Sequence, residues 1–157
     1  MTDLNLHLKI NDFYTRYAES ICDGDIETWP EFFTEKCLYR IIPKTNYDRK
    51  LRIGPMFAES KGALRDRVVA IKETLVYSAR SITHIVSGVR IVSMEENLLK
   101  TRSMLAIYQT LVDGTTHIQL VGRTFDSIDL GDGTPKFSER IVVFDSELLA
   151  GARVFPA

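Results

Sequence analysis

Ala106-Ile107-Tyr108-Gln109-Thr110-Leu111-Val112-Asp113-Gly114-Thr115-Thr116-His117-Ile118-Gln119-Leu120 reads as two β-compatible runs meeting at an Asp-Gly turn. β-Branched and aromatic residues suit a pleated surface, and Asp-Gly is a hairpin signal because both central residues accept positive φ. The same character continues on either side. Ile82 to Met94, Leu98 to Val112, Thr115 to Ile128 and Phe137 to Ser146 are predicted strands, divided by Glu95-Glu96-Asn97, Asp113-Gly114 and Gly131-Asp132-Gly133. Strands of about twelve residues exceed the usual length, and antiparallel strands that long can curl strongly.

Upstream the period changes from two to three or four. Leu6, Ile10, Phe13, Tyr17 and Ile21 fall on one face of a predicted helix over Leu4 to Ile21, which Asp23-Gly24-Asp25 then breaks. A short second helix is expected through Ile26, Trp29, Phe32 and Phe33, with Pro30 in an early turn where its missing N–H costs least. Cys37 to Pro43 reads as a strand. Asn46 to Pro55 is either its hairpin partner or an exposed loop. A third helix is predicted from Ser60, a suitable N-cap, to Leu75, with Leu64, Val68, Ile71 and Leu75 as its apolar stripe. Helices followed by a run of strands indicate an α+β domain with a long, curved, mainly antiparallel sheet.

The 157 residues are enough for one domain, expected to span 1–157. Charged residues make up 26% and hydrophobic residues 45%, a globular balance. A formal net charge of −1, with acids and bases interspersed, provides no basic stripe for nucleic acid. No apolar run approaches the ~20 residues of a membrane span, and the N-terminus lacks a signal-peptide pattern. The expectation is a cytoplasmic chain in which Cys22 and Cys37 are packed thiols, although a disulfide is conceivable.

Local scaffolds for cofactor chemistry are missing from the sequence. His7, His84 and His117 are scattered, with no HxxxH or HExxH pair and no Cys-x-His with Cys-x-x-His of a Rieske cluster. The glycines at 131 and 133 lie between strands, not before a helix, so no phosphate loop is written. Catalytic, cofactor and metal residues are therefore expected to be none. One alternative stands: His84 shares a pleat face with Ile82 and Val86, and inside a curled sheet it could be a general base oriented by Asp25. The opposing reading is a histidine held in the core or at a subunit contact. Trp29, Phe32 and Phe33 read as core aromatics, and Arg65-Asp66-Arg67 as a solvated or partner-facing helix surface. The apolar end, Ala152 to Ala157, needs a docking place in its own fold or on another chain.

Several runs resemble one family. Trp29-Pro30-Glu31-Phe32-Phe33, followed by Tyr39-Arg40, is similar to a stretch of the β subunits of bacterial aromatic-ring-hydroxylating dioxygenases. Arg65-Asp66-Arg67 resembles their third helix. Thr83-His84-Ile85-Val86 resembles their Arg-His-x-Val strand, with threonine replacing arginine, and Glu139 to Ser146 resembles their last strand. The look is nearest to small subunits of the salicylate 5-hydroxylase, terephthalate dioxygenase and anthranilate dioxygenase kinds. The fold implied resembles the nuclear transport factor 2-like cone. The resemblance also implies a non-catalytic structural role in an α3β3 hexamer with a large α oxygenase subunit and other β subunits. The Rieske [2Fe-2S] cluster and mononuclear Fe(II) are then expected in the α subunit, with NAD(P)H acting through a separate reductase. Interface candidates are Trp29, Arg40, Arg65, Arg67, His84, Arg140 and Phe155. The readings left open beside it are a stand-alone isomerase, dehydratase or hydrolase using His84 and Asp25, and a homodimeric ligand-binding domain.

Overall fold

The period-two runs become the frame of the molecule. The computed structural model describes residues 4–74, 80–146 and 156–157. Its four long strands are β3 (Arg80–Glu95), β4 (Leu98–Leu111), β5 (Thr116–Asp129) and β6 (Lys136–Phe144), joined as an antiparallel meander. Two earlier strands extend it: β1 (Phe33–Pro43) and β2 (Met56–Ala58). The sheet order is β2-β1-β6-β5-β4-β3, with β1 parallel to β6 and every other pair antiparallel. This is the α+β, curved, mainly antiparallel architecture expected of a nuclear transport factor 2-like cone.

Curvature has local causes. Register shifts interrupt β3/β4 at Ser87/Arg90 and Ile91/Ser93, β4/β5 at Ile107/Tyr108, and β5/β6 at Ser127/Ile128. Each bulge adds twist and bends its strand. Gly122 permits a further close approach: a Cβ there would lie 2.1 Å from the Val143 carbonyl oxygen. The sheet wraps around α1 (Leu4–Cys22), whose Ile10, Phe13, Tyr14, Tyr17 and Ile21 are all buried. Phe13 sits 4.7 Å from Phe137 of β6, ring centre to ring centre, so the helix stripe meets the sheet through aromatic rings.

Some local expectations change. The segment Ile26–Phe32 is a 3₁₀ helix, and Pro30 lies inside it rather than in an early turn. Short 3₁₀ stretches close i→i+3 rings, here ending with the Phe33 N–H donating to the Pro30 carbonyl, so Phe33 already belongs to β1. Asn46 to Pro55 is neither hairpin nor plain loop at its start: α2 (Lys44–Asp48) overlaps it, and the partner of β1 is β2, just beyond. The helix α3 (Lys61–Thr74) begins as expected, with Ser60 Oγ accepting from the Ala63 N–H at 3.1 Å. Leu75 lies outside the described residues.

At the Asp113-Gly114 turn only Gly114 has positive φ. Gly114 N–H donates to the Leu111 carbonyl and Leu111 N–H to the Thr115 carbonyl, both at 2.9 Å. That is a three-residue loop closed by a left-handed glycine, not the two-residue mirror turn. Among the described residues no helix is long and apolar enough to cross a membrane. Cys22 and Cys37 are free thiols rather than a disulfide. Burial pushes the Cys37 thiol up to about 11.

Candidate functional site

The most unusual chemistry lies in the interior of the cone. Arg140 on β6 and Asp126 on β5 are cross-strand partners, and both side chains are fully buried. Arg140 shares its inward parity with Val142 and Phe144, so the fold drives a guanidinium into an apolar core. It is compensated there. Arg140 Nη1 donates to Asp126 Oδ2 at 2.9 Å, and the same oxygen accepts from the Tyr14 hydroxyl at 2.5 Å and Thr124 at 2.7 Å. Thr101 in turn donates to Tyr14 at 2.8 Å, and Ser103 to Thr124 at 2.7 Å. The guanidinium also stacks over Tyr17, 4.5 Å from the ring centre, and lies 5.0 Å from that of Phe137.

Desolvation decides the protonation preferences. Burial pushes the Asp126 carboxyl up, with Arg140, Tyr14 and Thr124 pulling against it. Burial opposes the charge of Arg140, but Asp126 outweighs it and holds the guanidinium firmly protonated. Burial, then the adjacent Asp126 charge, raises the Tyr14 phenol, so Tyr14 remains a donor.

The second half of the interior receives the last residue of the sequence. Ala157 is fully buried. Its main-chain oxygen accepts from Tyr17 at 2.7 Å, Tyr39 at 3.2 Å and Arg140 Nε at 3.2 Å. Its N–H donates to the Tyr39 hydroxyl at 2.7 Å, and Trp29 Nε1 donates to the Tyr17 hydroxyl at 3.0 Å. Of the apolar end, Pro156 and Ala157 are thus buried inside the chain's own cone. Ala152 to Phe155 lie outside the described residues.

His84 and Asp25, the alternative catalytic pair, line different cavities. His84 is buried and borders a cavity of about 340 Å³ with Tyr14, Ala18, Glu19, Cys22 and Val86. Its backbone N–H donates to Cys22 Sγ at 3.2 Å. Asp25 is exposed and borders a cavity of about 420 Å³ with Phe13, Arg16, Ser20, Thr28 and Phe32. The orienting contact expected between them is not made.

The interface candidates separate by burial. Trp29 and Arg140 correct the expectation: both are wholly buried within this chain and leave no side-chain surface for a partner. The tryptophan packs on Tyr17, Phe33 and Tyr39, and the arginine is committed to Asp126 and Ala157. His84 is also mostly enclosed. Arg40 is half-buried with its guanidinium 5.6 Å from the Phe57 ring centre. Arg67 is half-buried beside Trp29 and Met56, and exposed Arg65 donates to Glu31 at 3.0 Å. Phe155 lies outside the described residues.

Sequence reading misses Tyr14, Thr101, Thr124 and Asp126, and takes Tyr17 only as part of the apolar helix stripe. The available signal is parity: Thr124 and Asp126 alternate with outward residues on the same strand face as Gly122 and Leu120. No group of three or more His, Cys, Asp or Glu side chains among the described residues is placed to hold a metal.

Comparison with known proteins defines the class. Residues 16–150 match the model of the ring hydroxylating beta subunit family. The chain belongs to the β-subunit family of aromatic-ring-hydroxylating dioxygenases. It is 28% identical over 144 residues to the anthranilate 1,2-dioxygenase small subunit of Burkholderia cepacia, covering 92% of this chain and 89% of that one. It is 30% identical over 139 residues to the β 2 subunit of the terephthalate 1,2-dioxygenase terminal oxygenase component of a Comamonas species, covering 88% and 90%. A Novosphingobium aromaticivorans structure, named as the β subunit of an aromatic-ring-hydroxylating dioxygenase, superposes with a TM-score of 0.85. Its identity is 30%, over 94% of this chain and 93% of that one.

Proposed function

We propose that residues 1–157 form a single structural domain without a catalytic site of its own, working as the small subunit of a Rieske non-haem iron oxygenase. The partner is a large α subunit in an α3β3 hexamer, and the substrate class is an aromatic acid such as salicylate. The observation that carries the reading is the filled interior. Arg140, Asp126, Tyr14, Tyr17 and Ala157 hydrogen-bond to one another and fill space that a small enzyme of this shape would keep open for a substrate.

The chemistry then belongs to the partner. A Rieske cluster and a mononuclear Fe(II) in the α subunit would carry electrons and activate oxygen, supplied from NAD(P)H by a separate reductase. This chain contributes shape and a docking surface. The outer sheet face suits such docking, because Ile85, Met104 and Val121 are 50%, 55% and 46% exposed and neighbour one another across β3, β4 and β5. Apolar centres of this kind are usual in obligate interfaces.

The test is capture of the large subunit from cells expressing both chains. The native small subunit is expected to retain it, and Met104→Asp with Val121→Asp to lose it while remaining folded by circular dichroism. Retention by the double variant would remove this face from the interface.

A further inference from the structure

Arg90 on β3 and Arg102 on β4 stand directly opposite each other on the outer face of the sheet, and both are exposed. Like charges in that position repel and weaken the strand pairing, so the fold alone does not account for them. Among the described residues neither arginine makes an ion pair. The neighbouring outward bases are answered: Arg123 pairs with Asp145 at 3.5 Å, and Lys100 donates to Ser127 at 2.6 Å. The whole chain has a formal net charge of −1, so this strip differs from it in sign.

Arg102 is also held in place. Its guanidinium lies 5.2 Å from the ring centre of Phe125, its cross-strand partner on β5. Tyr47 of α2 stacks on the same ring, 5.2 Å between centres and 12° between planes. A guanidinium fixed on an aromatic ring loses less freedom when it grips a carboxylate. Beside it lies a cavity of about 250 Å³ bordered by Val92, Lys100, Arg102, Phe125 and Glu139. Met104, 55% exposed, follows two residues along β4, so the bases adjoin the apolar patch of the same face.

We propose that Arg90 and Arg102, with Lys100 beside them, are the charged part of the docking surface and take carboxylate side chains from an acidic surface of the large oxygenase subunit. This rests on the small-subunit reading above and adds the partner's chemistry to it. A carboxylate seated between two arginines relieves their repulsion and is gripped through both oxygens. The apolar patch then supplies contact area, while the opposed charges set register and speed encounter.

The experiment captures the large subunit from cells expressing both chains, on small-subunit variants shown to be folded by circular dichroism. Arg90→Glu with Arg102→Glu is expected to retain at least about tenfold less large subunit than the native chain, and Arg90→Lys with Arg102→Lys to stay within about twofold of native. A loss smaller than tenfold on reversal, or an equal loss in the lysine pair, overturns the proposal. Should the reversal fail to fold, Arg90→Gln with Arg102→Gln decides in its place: a loss of at least about threefold supports the proposal, and a smaller one overturns it. Sedimentation of the isolated chain showing oligomers that the reversal disperses would give the face to a second copy and overturn it as well. A native chain that retains no large subunit would overturn the small-subunit reading itself, and this proposal with it.

Discussion

The two faces of the β3–β6 sheet carry opposite kinds of residue in the opposite of the usual places. On the concave face a charged pair, Arg140 and Asp126, is completely buried, surrounded by Tyr14, Tyr17 and Phe137. On the convex face Ile85, Met104 and Val121 stand in solvent. A buried ion pair costs desolvation, which its attraction offsets only with additional hydrogen bonds, and this pair has them from Tyr14, Thr124 and the docked Ala157. The ion pair of the inner face is enclosed within the chain. The outer face is not, and its apolar side chains are the ones a partner would cover.

That contrast breaks most easily from the inside. Asp126→Ala leaves Arg140 buried without its counter-charge and is expected to cost about 3–5 kcal/mol, measured by urea unfolding of the chain. If the loss is below about 1 kcal/mol, the interior is not the closed network described. Gly122→Ala should come next, at about 1–3 kcal/mol by thermal unfolding, because its new Cβ meets backbone atoms of Val143 and Phe144 that cannot swing aside.

A smaller effect is expected where the 3₁₀ helix meets α3. Lys61, buried on α3, donates to Glu31 at 2.6 Å, and Arg65 adds a second bond at 3.0 Å. Lys61, then Arg65, holds the Glu31 carboxyl below its ordinary value of 4.5. A depressed carboxyl stabilises the fold fully above the unfolded pKa and loses that contribution as pH falls through the lower folded value. Glu31→Gln should therefore cost at most about 1 kcal/mol at neutral pH and nothing once the wild-type carboxyl is protonated. A cost that persists unchanged at strongly acidic pH would assign it to packing instead. Smallest of all, Met104→Ser on the outer face should change the stability of the isolated chain by no more than about 0.5 kcal/mol. A larger loss would mean that this face already serves the chain's own fold.

The alternation of β3 to β6 and the stripes of α1 and α3 are legible because they are local patterns set by strand and helix periods. The parallel pairing of β1 with β6 is not, since no turn joins them and the partners, such as Tyr39 and Arg140, are far apart in sequence. Exposed-face patterning puts Arg140 among the interface candidates, and Trp29 too, although its helical spacing with Phe32 and Phe33 reads as core. What overturns that is non-local: Asp126 supplies the counter-charge, and Tyr17 and Ala157 supply the hydrogen bonds. Strand parity places His84 correctly on the inward face, but Asp25 follows the turn after α1 and borders another cavity.

The most direct test of the central claim is turnover of an aromatic acid, compared between the isolated chain and the chain co-purified with its large subunit, each with and without His84→Ala. The account predicts no turnover by the isolated chain, and turnover by the complex that His84→Ala leaves within about twofold, well under the roughly 10²-fold or greater loss typical of removing a general base. Turnover by the isolated chain that disappears in His84→Ala would contradict it.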